Sequence, residues 1–484
     1  MNIYFSDFFR VSPDDLDRYG AFDVSLINDL PLFVDPFLLF NSEKGEHRKL
    51  HDEILRYVGF LRGKADTNIR PGLIDYWFTF PEVRQNWFGY SMKGNRGSGL
   101  GKDFARALNQ NLQSIFHNFG NEAITRSSHI EKLCLIKDGI GRDNISDFTV
   151  NLIKGYLVRY TSNFAEKYIE SKYIRKVLVE KVLFNYDTET WGNASFNLPY
   201  VNGDYVLLTP KEILTKDEMW INRHDLVGDF ENIARSIPNE QLRDSITNYF
   251  LRTLPKSPKK KDYEYAASRT IDQYPEVLDF FILQKEDNGD RARDISEERV
   301  RDVERIFISR VRDLVENRLA PLGFYRDGHD SYDASMRRVQ FLKNVIENQD
   351  GYRLFYVDGK PIQRELDLQI IFRLTWYATI YDVNREVNNG RGPVDYKISS
   401  GSKDKALVEF KLASNSKLKT NLQNQVAVYE KANDTKQSIK VILFFNDVEE
   451  KKTRSILNEL GLSGNPDVVL IDARRDNKPS ASNA

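Results

Sequence analysis

The sequence predicts an α/β domain in its last third, preceded by a mainly helical α+β region. From about residue 361 onward, short apolar segments with strand-like alternation follow segments with helical spacing, an order typical of layered α/β domains. Before that point, residues 144–183 have the apolar spacing of two long helices, and the pair Asn202-Gly203 predicts the turn of a hairpin. Since hydrophobic residues make up 40% of the 484 residues, the chain has enough apolar material for more than one core.

Composition narrows the class of protein further. The formal net charge is −1, from 70 basic and 71 acidic residues, so any surface for nucleic acid must be a local basic patch. No apolar run approaches the roughly 18 residues that cross a bilayer, and the first residues lack the basic flank and apolar stretch of a signal peptide. The single cysteine, Cys134, excludes an internal disulfide and a cysteine-rich zinc site. We therefore expect a cytoplasmic protein without a membrane partner.

We divide the chain into four parts. Residues 1–252 are predicted to form an N-terminal α+β region for recognition or regulation, 253–348 a linker and charged helical connector, 349–475 the α/β domain, and 476–484 a disordered tail. The linker is placed at Pro255–Asp262, because this run contains two prolines and four lysines. The alternative for this run is a basic face that contacts nucleic acid.

Two features of the N-terminal region are set aside as sites. His47 and His51 are one helical turn apart, but no third ligand is nearby, so an exposed helix face is expected rather than a metal site. The stretch Gly94–Lys102 is similar to a phosphate-binding loop, yet Arg96 replaces the first glycine and Asp103 replaces the hydroxyl residue that would bind Mg²⁺. A plain glycine-rich loop is expected there, with a nucleotide-driven switch as the alternative.

The α/β domain is built from segments whose limits are marked by proline and turn residues. Pro361 opens a helix with apolar residues at helical spacing, and the turns 388–390 and 400–402 separate three consecutive strands. Strongly apolar strands and further helices follow. In chain order the predicted elements are the helix 361–380, the strands 382–387, 393–399 and 406–412, the helix 418–432, the strand 439–445, the helix 450–460 and the strand 468–472.

Two adjacent strands carry the residues best suited to chemistry. Asp395 lies near the start of one strand, and Glu409 and Lys411 lie on one face of the next, because side chains alternate along a strand. Their neighbours Val408 and Phe410 are apolar and point to the other face. Two carboxylates can hold a hard cation such as Mg²⁺, which activates water, and an ammonium group can orient that water or neutralise charge on a phosphate. The alternative is an exposed strand face with paired charges.

Four segments together resemble the PD-(D/E)XK nuclease superfamily. In that family a helix glutamate, a G-x-x-D strand start, an apolar (D/E)-x-K strand and a Q-x-x-x-Y helix follow in this order. The corresponding segments here are Arg364–Gln369, Glu386–Asp395, Val408–Lys411 and Gln425–Tyr429. The resemblance covers about residues 355–475 and implies a restriction-endonuclease-like α-β-β-β-α-β core. The proline that names the motif is displaced, because Pro393 precedes Asp395 by two positions.

The resemblance also implies roles for the residues on the two central strands. Asp395 and Glu409 would be metal ligands, together with the backbone carbonyl of Phe410. Lys411 would assist the attacking water. The implied cofactor is Mg²⁺, with Mn²⁺ as an alternative.

Two further catalytic residues follow from the same resemblance. Glu365, on the first helix, would complete or support the metal ligands. Asp367 is the rival for this role, but it lies about 200° around the helix from Glu365, so only one of the two can face the sheet. Gln425 would point at the site from the later helix, with an ordinary polar position on a half-buried helix as the alternative.

The function that the resemblance implies is an Mg²⁺-dependent endonuclease that hydrolyses phosphodiester bonds in DNA. The expected partners are double-stranded DNA and either a second copy of the chain or a partner protein of a defence system. A nuclease domain fused to a large unfamiliar region is similar to proteins of bacterial genome defence, which favours anti-phage or restriction-type defence as the setting, by analogy only. In the N-terminal region, Asp138–Asp147 resembles a passage of uncharacterised bacterial defence-associated proteins. The alternative is a non-catalytic nucleic-acid-binding or scaffold protein that retains a nuclease-like fold.

Overall fold

A computed structural model of the chain describes most of its residues. The described residues are 3–65, 69–89, 105–106, 108–109, 112, 120, 122–136, 141–319, 330–348, 351–357, 360–362, 364–376, 379–388, 393–401, 404–423, 435 and 437–478. Within these ranges, every helix is either too short or too polar to traverse a lipid bilayer. The glycine-rich stretch Gly94–Lys102 and the predicted site residue Gln425 lie outside the described residues.

The first part of the chain combines helices with a small sheet and a long hairpin. Its helices are α1 (Phe5–Phe9), α2 (Pro13–Tyr19), α3 (Pro36–Phe40), α4 (Gly45–Lys64), α5 (Pro71–Trp77), α6 (Lys132–Ile136), α7 (Arg142–Leu152) and α8 (Lys154–Tyr168). Its strands are β1 (Leu32–Val34), β2 (Ile174–Asn185), β3 (Thr190–Val201), β4 (Asp204–Tyr205) and β5 (Leu214–Lys216). β1 pairs with β5, and β2, β3 and β4 form a second antiparallel sheet.

The hairpin bears out one local prediction and contradicts another. Asn202 and Gly203 have positive φ angles of 53° and 90° and connect β3 to β4, so the predicted turn is confirmed. The helix predicted to continue to residue 183 is wrong, because α8 ends at Tyr168 and β2 begins at Ile174. The β-branched residues of this segment instead lie in a paired ladder with β3, where such side chains pack well.

The middle of the chain is helical. Its helices are α9 (Arg223–Gly228), α10 (Phe230–Arg235), α11 (Glu240–Thr253), α12 (Lys260–Gln273), α13 (Val277–Asp287), α14 (Gly289–Val303), α15 (Arg310–Asp313) and α16 (Ser331–Asn348). Glu304–Ser309 and Leu314–Leu319 continue the α14–α15 region as π-helical turns. The run predicted as a linker separates α11 from α12 and contributes the first residues of α12.

The C-terminal part is a mixed five-stranded sheet with helices on both faces. The elements are the short pair β6 (Tyr356–Val357) and β7 (Lys360–Pro361), then α17 (Glu365–Leu374), β8 (Asp382–Asn388), β9 (Pro393–Ser400), β10 (Asp404–Leu412), β11 (Ser438–Phe444), α18 (Asp447–Glu459) and β12 (Val468–Asp472). The strand order is β12-β11-β10-β9-β8. β10, β11 and β12 run parallel, whereas β8, β9 and β10 are antiparallel.

Different helices pack on the two faces of this sheet. Val408 and Phe410 of β10 belong to a cluster with apolar residues of α16 and α17. On the other face, Ile442 of β11 packs with Leu422 and with residues of α18. The mixed α/β class predicted for this part is therefore confirmed, while the closer restriction-endonuclease-like assignment stays a prediction.

The first helix of this part is shorter than the prediction. Lys360 and Pro361 form β7, which pairs with β6, so the helix predicted to start at Pro361 begins four residues later. Arg364 has extended backbone angles, φ −128° and ψ 134°, and serves as the N-cap residue. Glu365 is consequently the first residue of α17, at its N-terminus.

Apolar packing crosses the predicted domain limits. One large cluster of buried side chains includes Phe5, Leu157, Phe307, Leu342 and Phe410, which lie far apart in the sequence. A second cluster joins the helices α9 to α14 to α3. The predicted boundaries at 252/253 and 348/349 thus lie within packed structure, and they stay predictions.

Candidate functional site

The predicted acids of β9 and β10 are brought together by strand pairing. Tyr396 of β9 faces Val408 of β10, so Asp395 faces Glu409 in the next register position. The carboxylate of Asp395 accepts the backbone N–H of Phe410 at 2.6 Å. Because a backbone donor fixes it, Asp395 is held against β10 rather than directed to solvent.

The ammonium group of Lys411 lies among oxygens from three carboxylates. Its Nζ is 3.2 Å from Oε2 of Glu409 and 3.7 Å from Oδ2 of Asp395. It is also 3.5 Å from Oε2 of Glu365 and donates to the carbonyl of Phe410 at 3.0 Å. Since Nζ is common to the first two distances, Oε2 of Glu409 and Oδ2 of Asp395 are at most 6.9 Å apart. The three carboxylates therefore face one small space.

The site is largely withdrawn from water. The side chains of Glu409 and Lys411 are each 7% exposed, and that of Asp395 is 13% exposed. Oε1 of Glu409 is buried and has no hydrogen-bond partner among the residues that the structure describes. A buried carboxylate oxygen without a donor is costly, so this atom is a vacant acceptor that a cation or a water would satisfy.

Burial and neighbouring charge shift the protonation of the two residues on β10. Burial, followed by the charge of Asp395, raises the pKa of Glu409 to about 8, although Lys411 opposes this. Burial lowers the pKa of Lys411, but the carboxylates of Asp395, Glu409 and Glu365 outweigh this effect and hold it well above its ordinary value. Lys411 consequently remains an ammonium group at neutral pH.

The acid of α17 that reaches the site is Glu365. Its Oε1 accepts the backbone N–H of Leu412 at 3.3 Å and the side-chain amide of Asn415 at 2.9 Å. Asp367 is buried elsewhere, beside Arg364 at 3.4 Å, and burial raises its pKa. Of the two rivals for one role, only Glu365 contacts Lys411.

The oxygen atoms of the site are of the kind that binds a hard cation. Asp395, Glu409 and the carbonyl of Phe410 provide oxygen atoms of the kind that Mg²⁺ prefers. Among the described residues, no group of three or more His, Cys, Asp and Glu side chains is placed to hold a metal ion. The candidate ligand set is the one that the resemblance implies, two side-chain carboxylates and one carbonyl, and Glu365 is held beside it by Leu412 and Asn415.

One residue of the site, Asn415, and one residue on the strand beside it, Lys440, were not predicted from the sequence. Asn415 lies in the turn after β10, where no periodicity marks it. Lys440 pairs in register with Glu409 on the neighbouring strand β11, and it is buried with its Nζ donating to the carbonyl of Ser438 at 3.2 Å. A lysine inside an otherwise apolar strand was the available signal for Lys440.

The two histidines set aside in the sequence are not on an exposed helix face, so that expectation is wrong. His47 and His51 are 1% and 3% exposed. His47 contacts Ser42 and Tyr156 through its two ring nitrogens, each at 3.2 Å, while the ring of His51 packs against Phe40. Both residues of this pair are buried because α4 packs against α3 and α7 on that side.

Comparison with known proteins gives two matches of undetermined function. A family model described as a domain of unknown function, DUF8370, matches residues 10–222, and another, DUF8371, matches residues 331–447. None of the curated proteins and none of the solved structures gives a significant match. Glu365, Asp395, Glu409 and Lys411 all lie within the second matched segment.

Proposed function

We propose that this chain is a metal-dependent phosphodiester hydrolase, an endonuclease that acts on double-stranded DNA. The observation that carries the proposal is the vacant, buried Oε1 of Glu409 beside the Lys411 ammonium, in a cluster with Asp395 and Glu365. Such a set of acids and one lysine on adjacent strands suits hydrolysis of a charged diester. A setting in bacterial restriction or anti-phage defence is part of the proposal and rests on the resemblance alone.

The candidate ligands of Mg²⁺, or of Mn²⁺, are Asp395, Glu409 and the carbonyl of Phe410. When bound, the ion supplies Lewis acidity, which makes water a better nucleophile at neutral pH and stabilises negative charge on phosphate oxygens. The backbone N–H of Phe410 keeps Asp395 at the edge of this space. Glu409 contributes the acceptor that lacks a donor among the described residues.

Lys411 acts as a charged donor. Its raised pKa keeps the proton on Nζ, so it orients the attacking water or neutralises a phosphate oxygen rather than serving as a base. Glu365 restrains the ammonium from the side of α17. In the reaction a bond forms between the water oxygen and phosphorus, one ester P–O bond breaks, and the products are a phosphomonoester and a hydroxyl group. The attacking water gives up a proton to solvent, and the leaving oxygen takes up a proton from solvent to become that hydroxyl group.

The test is cleavage of plasmid DNA by the purified full-length chain, with Mg²⁺ and with a chelator. We expect nicking or linearisation that needs Mg²⁺ and that falls by about a hundredfold or more in Lys411→Ala, as for loss of one electrostatic contact to the transition state. The matched control is Lys451→Ala, because Lys451 also follows a glutamate by two positions but is exposed on α18. Equal cleavage by wild type and Lys411→Ala, or cleavage that persists with the chelator, contradicts the proposal.

A non-catalytic DNA-binding protein is the second candidate, and one observation favours it. Lys411 lies within 3.7 Å of all three carboxylates, so the chain itself partly balances their charge. If Lys411 serves only to balance the charge of these carboxylates, the protein would bind DNA without cleaving it. In the same assay, equal retention of DNA by wild type and Lys411→Ala without any cleavage supports this candidate.

A further inference from the structure

The turn between α11 and α12 carries a cluster of exposed cations. Arg252, Lys256, Lys259 and Lys261 are all exposed, and no acidic residue interrupts the sequence from 252 to 261. Residues 251–265 contain five basic and two acidic residues, a net charge of +3 in a chain whose total is −1. We call these four residues, with Leu251, Tyr263 and Tyr265, the α11–α12 patch.

The cations of this patch form no ion pairs with described carboxylates, whereas arginines on nearby helices do. On nearby helices, Arg235 of α10 pairs with Glu231 at 3.3 Å and Arg269 of α12 pairs with Asp272 at 4.0 Å. Across the described residues, no carboxylate oxygen lies within 4.0 Å of a cationic group of the patch. Asp262, the nearest acid in sequence, accepts the backbone N–H of Lys259 at 2.7 Å and so caps α12. Four exposed cations within ten residues of the sequence are thus left without a carboxylate partner among the described residues.

Exposed apolar side chains accompany these charges. Leu251 is 54% exposed, Tyr263 38% and Tyr265 60%, which are three of the eight large apolar side chains exposed among the described residues. Tyr263 also lines a cavity of about 880 Å³, together with Phe250. Planar rings beside unpaired lysines fit a polymer that presents both phosphates and bases.

We propose that the α11–α12 patch binds the sugar–phosphate backbone of nucleic acid, with Tyr265, the more exposed of the two rings, stacking on an unpaired base. This inference rests on the proposed function, because it assigns a second contact surface for the same class of substrate. A lipid surface is disfavoured because the apolar face of α12, formed by Ala266, Ala267 and Ile271, is buried in the second core cluster and is not free to insert. The exposed groups of the patch are therefore its cations, the tyrosine rings and a single aliphatic side chain, Leu251.

The experiment measures binding of the full-length chain to fluorescein-labelled duplex and single-stranded DNA by anisotropy, with a chelator present so that no cleavage occurs. In the triple variant Lys256→Glu, Lys259→Glu, Lys261→Glu we expect at least about tenfold weaker binding and a salt dependence reduced by about 0.9 in slope for each lost phosphate contact. The matched control reverses three other exposed lysines, Lys49, Lys167 and Lys176, with the same change in net charge. It should bind DNA as wild type does.

A substitution of Tyr265 tests the inference independently of the lysines. Tyr265→Ala removes an exposed ring and leaves the core intact, so we expect it to weaken binding to single-stranded DNA by about tenfold and binding to duplex DNA much less. Unchanged DNA binding by the triple lysine variant overturns the inference, as does an equal loss in the lysine control. Binding to phosphatidylserine vesicles but not to DNA also overturns it.

The outcomes separate this inference from the proposed function. If wild type binds DNA through the patch but never cleaves it with Mg²⁺, the proposed hydrolase activity fails and the inference stands. If wild type cleaves DNA and the triple variant binds and cleaves equally well at limiting DNA, the inference fails and the hydrolase stands.

Discussion

Glu365 is the most exposed of the three carboxylates around Lys411, at 24%, yet two donors fix its position. One is the backbone of Leu412 and the other is the side chain of Asn415, which lies in the turn after β10. Asn415 also accepts the backbone N–H of Lys417 at 2.8 Å, so its own amide is held in place. Lys452 donates to the carbonyls of Ala413 and Asn415 and ties this turn to α18. Asn415 thus positions Glu365.

We expect Asn415→Ala to reduce Mg²⁺-dependent cleavage by about tenfold to a hundredfold, the usual effect of losing a residue that orients a group in a metal site. The reason is that Glu365 loses its shortest hydrogen bond and restrains Lys411 less well. The cleavage rate is measured across a range of Mg²⁺ concentrations. Asn458→Ala, on the exposed side of α18, is the control. Equal Mg²⁺ dependence in all three proteins contradicts a positioning role.

At the scale of elements, the start of α17 is joined to the N-terminal part of the chain. Arg364, the N-cap residue of this helix, forms an ion pair with Asp217, which follows β5 and has a positive φ of 73°. The same guanidinium reaches Asp367 at 3.4 Å. Since Glu365 is the next residue, the contact with Asp217 helps to set where the first turn of α17 lies.

Asp217→Ala should therefore slow cleavage by roughly threefold to tenfold although it is remote from the acids of β9 and β10. Arg364→Ala should give a similar loss, and the double variant should be no slower than the single ones, because both remove one shared contact. Rates of plasmid cleavage measure this cycle. The control is Glu218→Ala, the adjacent acid, which pairs with Arg142 instead. Additive losses in the double variant would show that the two residues act separately.

Periodic elements were predictable from the sequence, and residues fixed by long-range contacts were not. The alternation of Val408, Glu409, Phe410 and Lys411 is a local property of a strand, so their faces could be predicted before any fold was known. The start of α17 depends on the pairing of β7 with β6 and on Arg364, which local spacing does not encode. Asn415 was missed for the same reason, since its role comes from a partner fifty residues earlier in the chain.

On the scale of the whole molecule, several ionisable groups are buried without full compensation. Burial raises the pKa of Asp147 to about 8, with further contributions from Asp143 and Glu82. Burial, assisted by His129, lowers the pKa of His51 to about 3. The folded state thus binds the Asp147 proton more tightly than the unfolded chain does, and it binds a proton on His51 less tightly.

These two shifts have opposite effects on stability, and they act over different ranges of pH. His51 favours folding at neutral pH, and this contribution is lost as the pH falls from about 6.5 towards 3. Asp147 favours folding at low pH, and this contribution is lost as the pH rises from 3.8 to about 8. Above pH 6.5, His51 is neutral in the folded state and loses its remaining proton in the unfolded chain by about pH 7.5, so from there to pH 8 only Asp147 of this pair acts.

We therefore expect Asp147→Asn to flatten the decline in stability between pH 6.5 and 8. The wild-type slope from this one group is at most about 1.4 kcal/mol per pH unit. Thermal unfolding midpoints across this range, for wild type and for the variant, measure the difference. Asp52→Asn, at an exposed position of α4 that makes no contribution to the shift of Asp147, serves as the control. A variant curve parallel to that of wild type would contradict the assignment to Asp147.

The hydroxyl of Tyr4 in the turn before α1 donates to the backbone carbonyl of Phe307, a residue 303 positions later in the sequence. Arg312 connects the same two regions of the chain through ion pairs with Asp7 and Asp23. A ribosome adds about 5 to 20 residues per second, so the start of the chain waits roughly 15 to 60 seconds for these partners to be made. During that interval the emerging segment lacks its final neighbours, so side chains that it buries in the folded protein, such as Phe5 and Phe9, stay exposed to solvent until Phe307 and Arg312 have been made.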